Sequence, residues 1–440
     1  MLLPGPRGRI RSTLRIVRNP NLWYHRWFEK YGDPFLVHAL NGDVVVTACE
    51  ANIKTIFTAR PHKYGAFAAD ALRSLLGEGV LLAMSGSAHL RERKLQMPPF
   101  HGARMRAYGE EMLGVAERTA ESMMGTERFV ALDVGREISR EVILRAVFGV
   151  DDVHEVQEMA AALYEFVDAL HPLLFFSRRM HRSFLGLGPW TRLQRVVAVV
   201  DRLLYAQIRR RRGLAAQGVE VGQDIMSMLL QARYEDGEQM HDSHLRDTLL
   251  TLLFAGHETT SVAIAWGLYH LYTHPNVLAR LREELAGLSD PGPDEIAGLP
   301  YLKAICQETL RMHPIVPDVV RTLHEELEIE GCTVPPGVGI AVATCVVHSD
   351  PKIYPEPEKF RPERFIETKP GLWQWLPFGG GHRRCIGAAF AMYELALVLA
   401  TIVRRYDFEV CEPGPVLQKR RSVTMGPSTG VRMRRVRTIT

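Results

Sequence analysis

Apolar residues recur every three or four positions in 108–124, 133–148, 190–208, 241–273, 275–286 and 300–312. That spacing follows one face of a helix with 3.6 residues per turn, so it predicts that most of the chain is α-helical. Alternating or β-branched runs are short: FLVHALNGDVVVTA at 35–48, the surroundings of LEIEGCTV and GIAVAT within 318–345, and 406–434. Side chains of a strand alternate between two faces, and these brief runs predict one small, discontinuous sheet at the edges of a helical body. Proline and glycine punctuate 287–299, 333–339, 350–372 and 411–416 as loops, with no low-complexity linker. No repeat of 20–50 residues appears. The expectation is a single, mainly α domain over 1–440, whose N-terminal part, about residues 1–60, is β-rich and packs on the helices.

Composition narrows this picture. The chain has 440 residues, 46% hydrophobic and 24% charged, which excludes a disordered, collagen-like or coiled-coil protein. Lys plus Arg number 54 against 50 Asp plus Glu, leaving a net charge of +4. Cysteines at 49, 306, 332, 345, 385 and 411 form no CxxC pair, so neither a disulfide framework nor a zinc site is expected, and a reducing cytoplasm is. The prolines and arginines of MLLPGPRGRIRSTLRIVRNP interrupt any signal-length apolar stretch. The longest apolar run, Ala388 to Val403, carries Glu394 and falls short of the ~20 residues of a bilayer crossing. It reads as a buried helix, and no membrane span is expected.

Two basic stretches stand out. Arg209, Arg210, Arg211 and Arg212 close a predicted helix and read as its solvated end. Lys419, Arg420 and Arg421, with Arg432, Arg434, Arg435 and Arg437, suit an acidic partner or polyphosphate, but no aromatics interleave them and nucleic acid is not indicated.

The most informative segment is LPFGGGHRRCIGAAFAMYE. Gly379, Gly380 and Gly381 open backbone conformations closed to other residues and allow close approach to a flat object. Cys385 is expected at a helix start, where free N–H groups and the helix dipole favour a thiolate, with Gly387 leaving room beside the sulfur. A lone buried cysteine is usually inert. A thiolate with no partner at metal-cage spacing also suits a single axial bond to a metal held by four other atoms, as in haem.

Phe378, Gly381, Cys385 and Gly387 fit FxxGxxxCxG, and in this the chain resembles the cytochrome P450 family of haem-thiolate monooxygenases. The resemblance implies the cytochrome P450 fold, haem b bound near Phe378, Gly379 and Gly387, and Cys385 as axial iron ligand. Four further motifs occur in the family's order. Ala255, Gly256, His257, Glu258, Thr259 and Thr260 match AGxET on the helix 241–273. Mid-helix Gly256 costs about 1 kcal/mol relative to Ala, so something wants the space. Thr259 competes for the Ala255 carbonyl, and a gap beside Gly256 is expected to admit dioxygen and water. Glu258 and Thr259 then resemble a proton relay, an acid beside an alcohol; Ser261 at the second histidine position excludes an HExxH zinc site.

In QETLRMHP, Glu308 and Arg311 match ExxR, and the resemblance pairs them with Arg364 of FRPERF as a structural triad. His89 and Arg93 in SAHLRERK, with Arg321 and Arg383, match the family's haem-propionate donors, and guanidinium groups suit carboxylates in a bidentate geometry. The regions 64–86 and 171–190, with residues after ExxR and a C-terminal hairpin, correspond to the family's distal pocket. Phe67, Leu72, Phe175, Phe176, Ala255, Val319 and Met425 are therefore candidate substrate contacts, and Arg73, Arg178 and Arg179 candidate carboxylate anchors. So apolar a set suggests a fatty acid, terpenoid or polyketide. The resemblance further implies insertion of one atom of O2, by hydroxylation or epoxidation. Electrons come from NAD(P)H through separate proteins, a ferredoxin with its reductase or a flavodoxin, docked on the cysteine side. A peroxide-driven peroxygenase and a non-catalytic haem sensor or carrier are the alternatives.

Overall fold

The six helical periods fold as their spacing predicts, in a computed structural model that describes residues 3–102, 104–124, 127–149, 153–170, 174, 181, 187–219, 222–421 and 423–439. The first half carries α1 (Arg9–Arg18), α2 (Pro20–Tyr31), α3 (Glu50–Thr58), α4 (Ala69–Leu76), α5 (Gly86–Gln96), α6 (Arg104–Met124), α7 (Ala131–Phe148), α8 (Val153–Ala169) and α9 (Pro189–Ala216). After them come α10 (Ile225–Gln231), α11 (Asp242–Thr273), α12 (Pro275–Ala286), α13 (Pro293–Gly298), α14 (Pro300–Met312), α15 (Thr344–Val347), α16 (Arg364–Glu367) and α17 (Ala388–Arg405). Helices α2, α9, α12, α13 and α14 each start on a proline, whose fixed φ and missing N–H suit the first turn.

Helix α11 is apolar nearly all round and is buried along most of its length, as such a helix must be. Its closest neighbour is α7. A Cβ on Gly135 would lie 2.7 Å from the Ser261 carbonyl oxygen, and one on Gly256 2.9 Å from Ile143 Cδ1, so both glycines serve the approach of these helices. The room at Gly256 is thus taken by Ile143, not by the gap for dioxygen and water expected there.

The β content departs from the expectation of one discontinuous sheet. The strands are β1 (Phe35–Ala39), β2 (Gly42–Thr47), β3 (Tyr64–Ala66), β4 (Arg128–Val130), β5 (Val319–Leu323), β6 (Leu327–Ile329), β7 (Cys332–Val334), β8 (Gly339–Val342), β9 (Tyr406–Val410), β10 (Gln418–Arg421), β11 (Thr424–Pro427) and β12 (Arg432–Thr438). Among the described residues they form four sheets, a five-stranded one of order β1-β2-β8-β5-β3 and smaller ones pairing β4-β12-β9, β10-β11 and β6-β7. The N-terminal part is not β-rich either. Helices α1 and α2 fill most of residues 9–31; on α2, Tyr24 and Trp27 lie one turn apart and pack their rings together, and Trp27 also meets Phe35.

The run Ala388 to Val403 is the buried helix α17, and among the described residues no helix is long and apolar enough to cross a membrane. Its Glu394 is 1% exposed and accepts from the Ser139 hydroxyl of α7 at 2.5 Å. Burial pushes this carboxyl from 4.5 up to about 8, against the opposing effect of Ser139. Because the folded value lies above the unfolded one, the stabilisation is complete below pH about 4.5 and is lost as pH rises through about 8. Glu394→Gln is therefore expected to flatten the fall of Tm with pH across that window. At its alkaline end the substitution stabilises by a few kcal/mol, at ~1.4 kcal/mol per pH unit. A Tm–pH slope unchanged by the substitution would refute this.

Candidate functional site

The loop before α17 is set by backbone conformations that glycine permits: Gly379 and Gly381 have φ of +65° and +66°. A Cβ on Gly380 would lie 2.3 Å from the Phe57 ring, and one on Gly381 2.2 Å from the Phe57 carbonyl oxygen. These two glycines therefore fit the loop against α3, where the sequence suggested approach to a ligand. The Cys385 N–H donates to the Phe378 carbonyl at 2.9 Å and closes the turn. Helix α17 begins only at Ala388, so Cys385 precedes its first turn instead of occupying it. Nothing lies within 4 Å of where a Gly387 Cβ would stand, which leaves open space near the sulfur.

Cys385 presents open surface to a protein-lined cleft. Enclosure pushes its thiol above the usual 9, while the Gly387 N–H and the charges of Arg93 and Arg384 oppose the rise. Such a thiol stays protonated in the absence of a metal, and a metal ion would take it as thiolate.

A group of bases meets near this loop. His89 on α5, Arg321 on β5, His382 and Arg383 lie together with Arg93, and the positive charges of Arg383, Arg321 and Arg93 oppose protonation of both His89 and His382. Burial, then the charges of Arg383 and other cations, hold His89 at about 3. His382 stacks on Tyr64 with ring centroids 5.1 Å apart and meets His89 edge-on at 5.8 Å. His89 Nδ1, Arg321 Nε and Arg383 Nε are buried without partners. Arg383 also donates to the Leu82 and Met84 carbonyls and Arg321 to that of Val320, so the idle donors are their Nε atoms; cations gathered with such unpaired nitrogens fit a bound anion such as the propionates of haem. Tyr64 and His382 escaped the sequence reading; the signal for His382 was its place inside GGGHRRC.

Helix α11 has its own open surface. Ala255 is exposed and Gly256 and Thr259 half-buried in the middle of a helix whose other faces are packed. The Thr259 hydroxyl donates to the Ala255 carbonyl at 2.6 Å without interrupting the helix. Glu258 points elsewhere: its side chain is 5% exposed and lies in an ion pair with Arg136 of α7, Nη2 to Oε1 3.2 Å. Arg136 is 27% exposed and had no sequence signal. His257 is buried against Tyr164, and burial holds it at about 4.

The acid and bases of ExxR are fully enclosed. Arg311 Nε donates to Glu308 Oε2 at 2.6 Å, Arg364 Nε donates to Glu308 Oε1 at 2.9 Å, and Arg311 also holds the carbonyls of His348 and Pro357.

The candidate substrate contacts divide. Ala255 is exposed and Phe67, Leu72 and Val319 half-buried; a Cβ on Gly379 would stand 3.6 Å from Val319, so that residue adjoins the cysteine loop. Val316, 42% exposed, lies nearby in sequence and was not anticipated. Met425 is wholly buried and presents no surface to a ligand. Phe175, Phe176, Arg178 and Arg179 lie outside the described residues. Arg73 is bonded to Asp70 and to the Ala83 carbonyl, which removes it as a free carboxylate anchor.

The basic stretches are largely committed within the chain. Helix α9 continues past the arginine run to Ala216, so the run does not close it; Arg209 and Arg210 are exposed as expected, while Arg211 is bonded to Asp224 at 2.6 Å and Arg212 to Asp242 at 2.5 Å. Arg420 donates to the Val17 carbonyl, and Arg432, Arg434 and Arg437 pair with Glu412, Glu409 and Asp407, which leaves little of the C-terminal stretch for a partner.

Comparison with known proteins bears on the family and the fold. The family description Cytochrome P450 matches residues 10–431. The chain is 35% identical to cytochrome P450 135B1 of Mycobacterium tuberculosis, over 98% of this chain and 91% of that one. It is 33% identical to cytochrome P450 137 of the same organism, over 97% and 86%. A solved structure, retinoic acid bound cyanobacterial CYP120A1, superposes with a TM-score of 0.86 at 24% identity, covering 97% of this chain and 96% of that chain, and attests the fold.

Proposed function

The chain belongs to the cytochrome P450 family of monooxygenases, which use haem b and electrons from NAD(P)H delivered by redox partners, and from that premise we propose a role for each residue of the cleft. Cys385 is the thiolate ligand of the iron. His89, Arg93, Arg321 and Arg383 hold the propionates, with Tyr64 and His382 stacked among them. The observation that carries this reading is the basic group whose buried nitrogens lack partners, close to an enclosed sulfur.

Bound haem supplies the centre at which dioxygen is activated. The chain's own residues manage protons and exclude bulk water. Glu258 is enclosed but linked to half-exposed Arg136, so a proton reaches it from solvent when that ion pair loosens. Thr259 has its hydrogen on the Ala255 carbonyl and its oxygen lone pairs free to accept a further hydrogen bond. Glu258, once released from Arg136 and turned toward Thr259, recharges the hydroxyl as the acid of the relay. On this reading Glu258→Gln lowers turnover by ~10²–10⁴-fold and raises the solvent isotope effect. Thr259→Ala instead leaves NADPH consumption high while product per NADPH falls. Full coupling in both variants would remove the relay.

The substrate is lipophilic, since Phe67, Leu72, Ala255, Val316 and Val319 offer apolar surface and the Arg73 anchor is already engaged. A fatty acid, terpenoid or polyketide, hydroxylated or epoxidised, is the substrate class. A ferredoxin or flavodoxin docks on the cysteine side, where Arg384 is exposed, while Arg91 and Lys94 of α5 are occupied by Asp236 and Glu235. A reducing cytoplasm suits six free thiols. Titrating the ferric protein with members of the three classes tests the substrate assignment: a low- to high-spin shift with one class identifies it, and no shift with any of them refutes it.

A further inference from the structure

Helix α1 is turned inside out. It buries Ser12 and Thr13, at 0% and 5% exposure, and shows Ile10 and Leu14 to solvent at 64% and 60%. The two are one turn apart and form a stripe. Arg7, Arg11 and Arg18 are exposed beside that stripe, and no acid pairs with them among the described residues. Thr13 is held inside by a bond to the Arg9 carbonyl and by the Leu40 N–H, which donates to its hydroxyl at 2.9 Å. The orientation is therefore built into the fold.

The apolar stripe extends onto neighbouring elements. Leu40, 52% exposed, is carried by the turn that bonds Thr13. Leu22, 42% exposed, opens α2 beside Asn21, whose side chain bonds Gln418, and Gln418 follows Leu417, which is 70% exposed. Five of the fifteen large exposed apolar side chains of the described residues thus gather around one short helix, more than isolated surface hydrophobics would give. Trp23 sits next to Leu22, with Arg15 stacked on its ring at 4.1 Å. An indole with a cation over its face suits the boundary between water and an apolar phase.

Charge selects the occupant. The first 30 residues hold seven Lys or Arg against one Glu, a net +6, whereas the whole chain is only +4. We propose that α1, with Leu22, Leu40 and Leu417, is a peripheral docking surface for an anionic lipid bilayer. Ile10 and Leu14 enter the acyl boundary while Arg7, Arg11 and Arg18 remain at the phosphates, the arrangement of a helix that lies in the interface without spanning it. A protein partner of that net negative charge would have to leave arginines paired across a surface with five protruding aliphatics, whereas a bilayer matches both features at once.

The test uses the haem-loaded full chain in sedimentation with vesicles of phosphatidylcholine alone or mixed with phosphatidylglycerol. Wild type is expected to sediment with the mixed vesicles at low salt and to be released by high salt. Ile10→Glu with Leu14→Glu, and separately Arg11→Glu with Arg18→Glu, are expected to weaken binding at least ~10-fold while the reduced, carbon monoxide-treated spectrum stays unchanged. Equal affinity for both vesicle types overturns the proposal, as does binding indifferent to the Ile10 and Leu14 changes. A concentration-dependent dimer that those changes abolish, without vesicle binding, also overturns it by making the patch a contact between copies.

Discussion

Cys385→Ser is expected to abolish the thiolate-type Soret absorption of the reduced, carbon monoxide-treated protein and to lower turnover at least ~1000-fold, the order seen when a group of the chemical step is removed. The alcohol is too weak an acid to bind iron as the soft anion that sulfur provides. Folding should survive. The turn at Cys385 is closed by its backbone N–H to the Phe378 carbonyl, which serine retains, and the side chain borders open space at Gly387. A loss of turnover with unchanged thermal stability and retained haem would fit ligation. Full turnover, or an unaltered absorption band, would defeat it.

Arg311→Leu is expected to destabilise the fold by ~3–5 kcal/mol, the range for removing one partner of a buried ion pair. Arg311 and Glu308 are 1% and 0% exposed, and Arg364 completes the set at 2.9 Å from Glu308. Without Arg311, Glu308 keeps one cation of two, and the carbonyls of His348 and Pro357 lose their donor. Since the stability of a protein is typically only ~5–15 kcal/mol, the loss is a large fraction of it. Arg311→Lys should recover part, because an ammonium keeps the charge but not the fork that reaches Glu308 and both carbonyls. Urea midpoints and haem retention read the effect; a midpoint shift equivalent to under ~0.5 kcal/mol would show that the triad does not hold this part of the core.

Helices α12 (Pro275–Ala286) and α14 (Pro300–Met312) have the predicted bounds because their apolar positions recur periodically, and α11, apolar nearly all round, was legible from the length of its apolar run and differs by one residue. The ExxR pair was legible as an i, i+3 spacing, and Cys385 as a motif. Met425 was not, since whether a side chain faces a cleft or the core depends on what packs around β11. Gly256 misled for a related reason: the sequence records a missing side chain, and only the neighbouring helix tells whether Ile143 or a ligand fills the space.

By itself, the sequence determined the helical body, the family's motifs and the residue types available for iron, carboxylates and protons, all of them properties of local spacing or composition. The tertiary structure decided which charges already have partners. Arg136 meets Glu258 across 122 residues of chain, Arg420 meets the carbonyl of Val17 across 403, and His382 stacks on Tyr64, while Arg321 and Arg383 keep buried nitrogens without a partner. Pairings of that kind leave no periodic trace, because electrostatic and steric satisfaction depends on distance in space, and folding fixes that distance independently of separation along the chain.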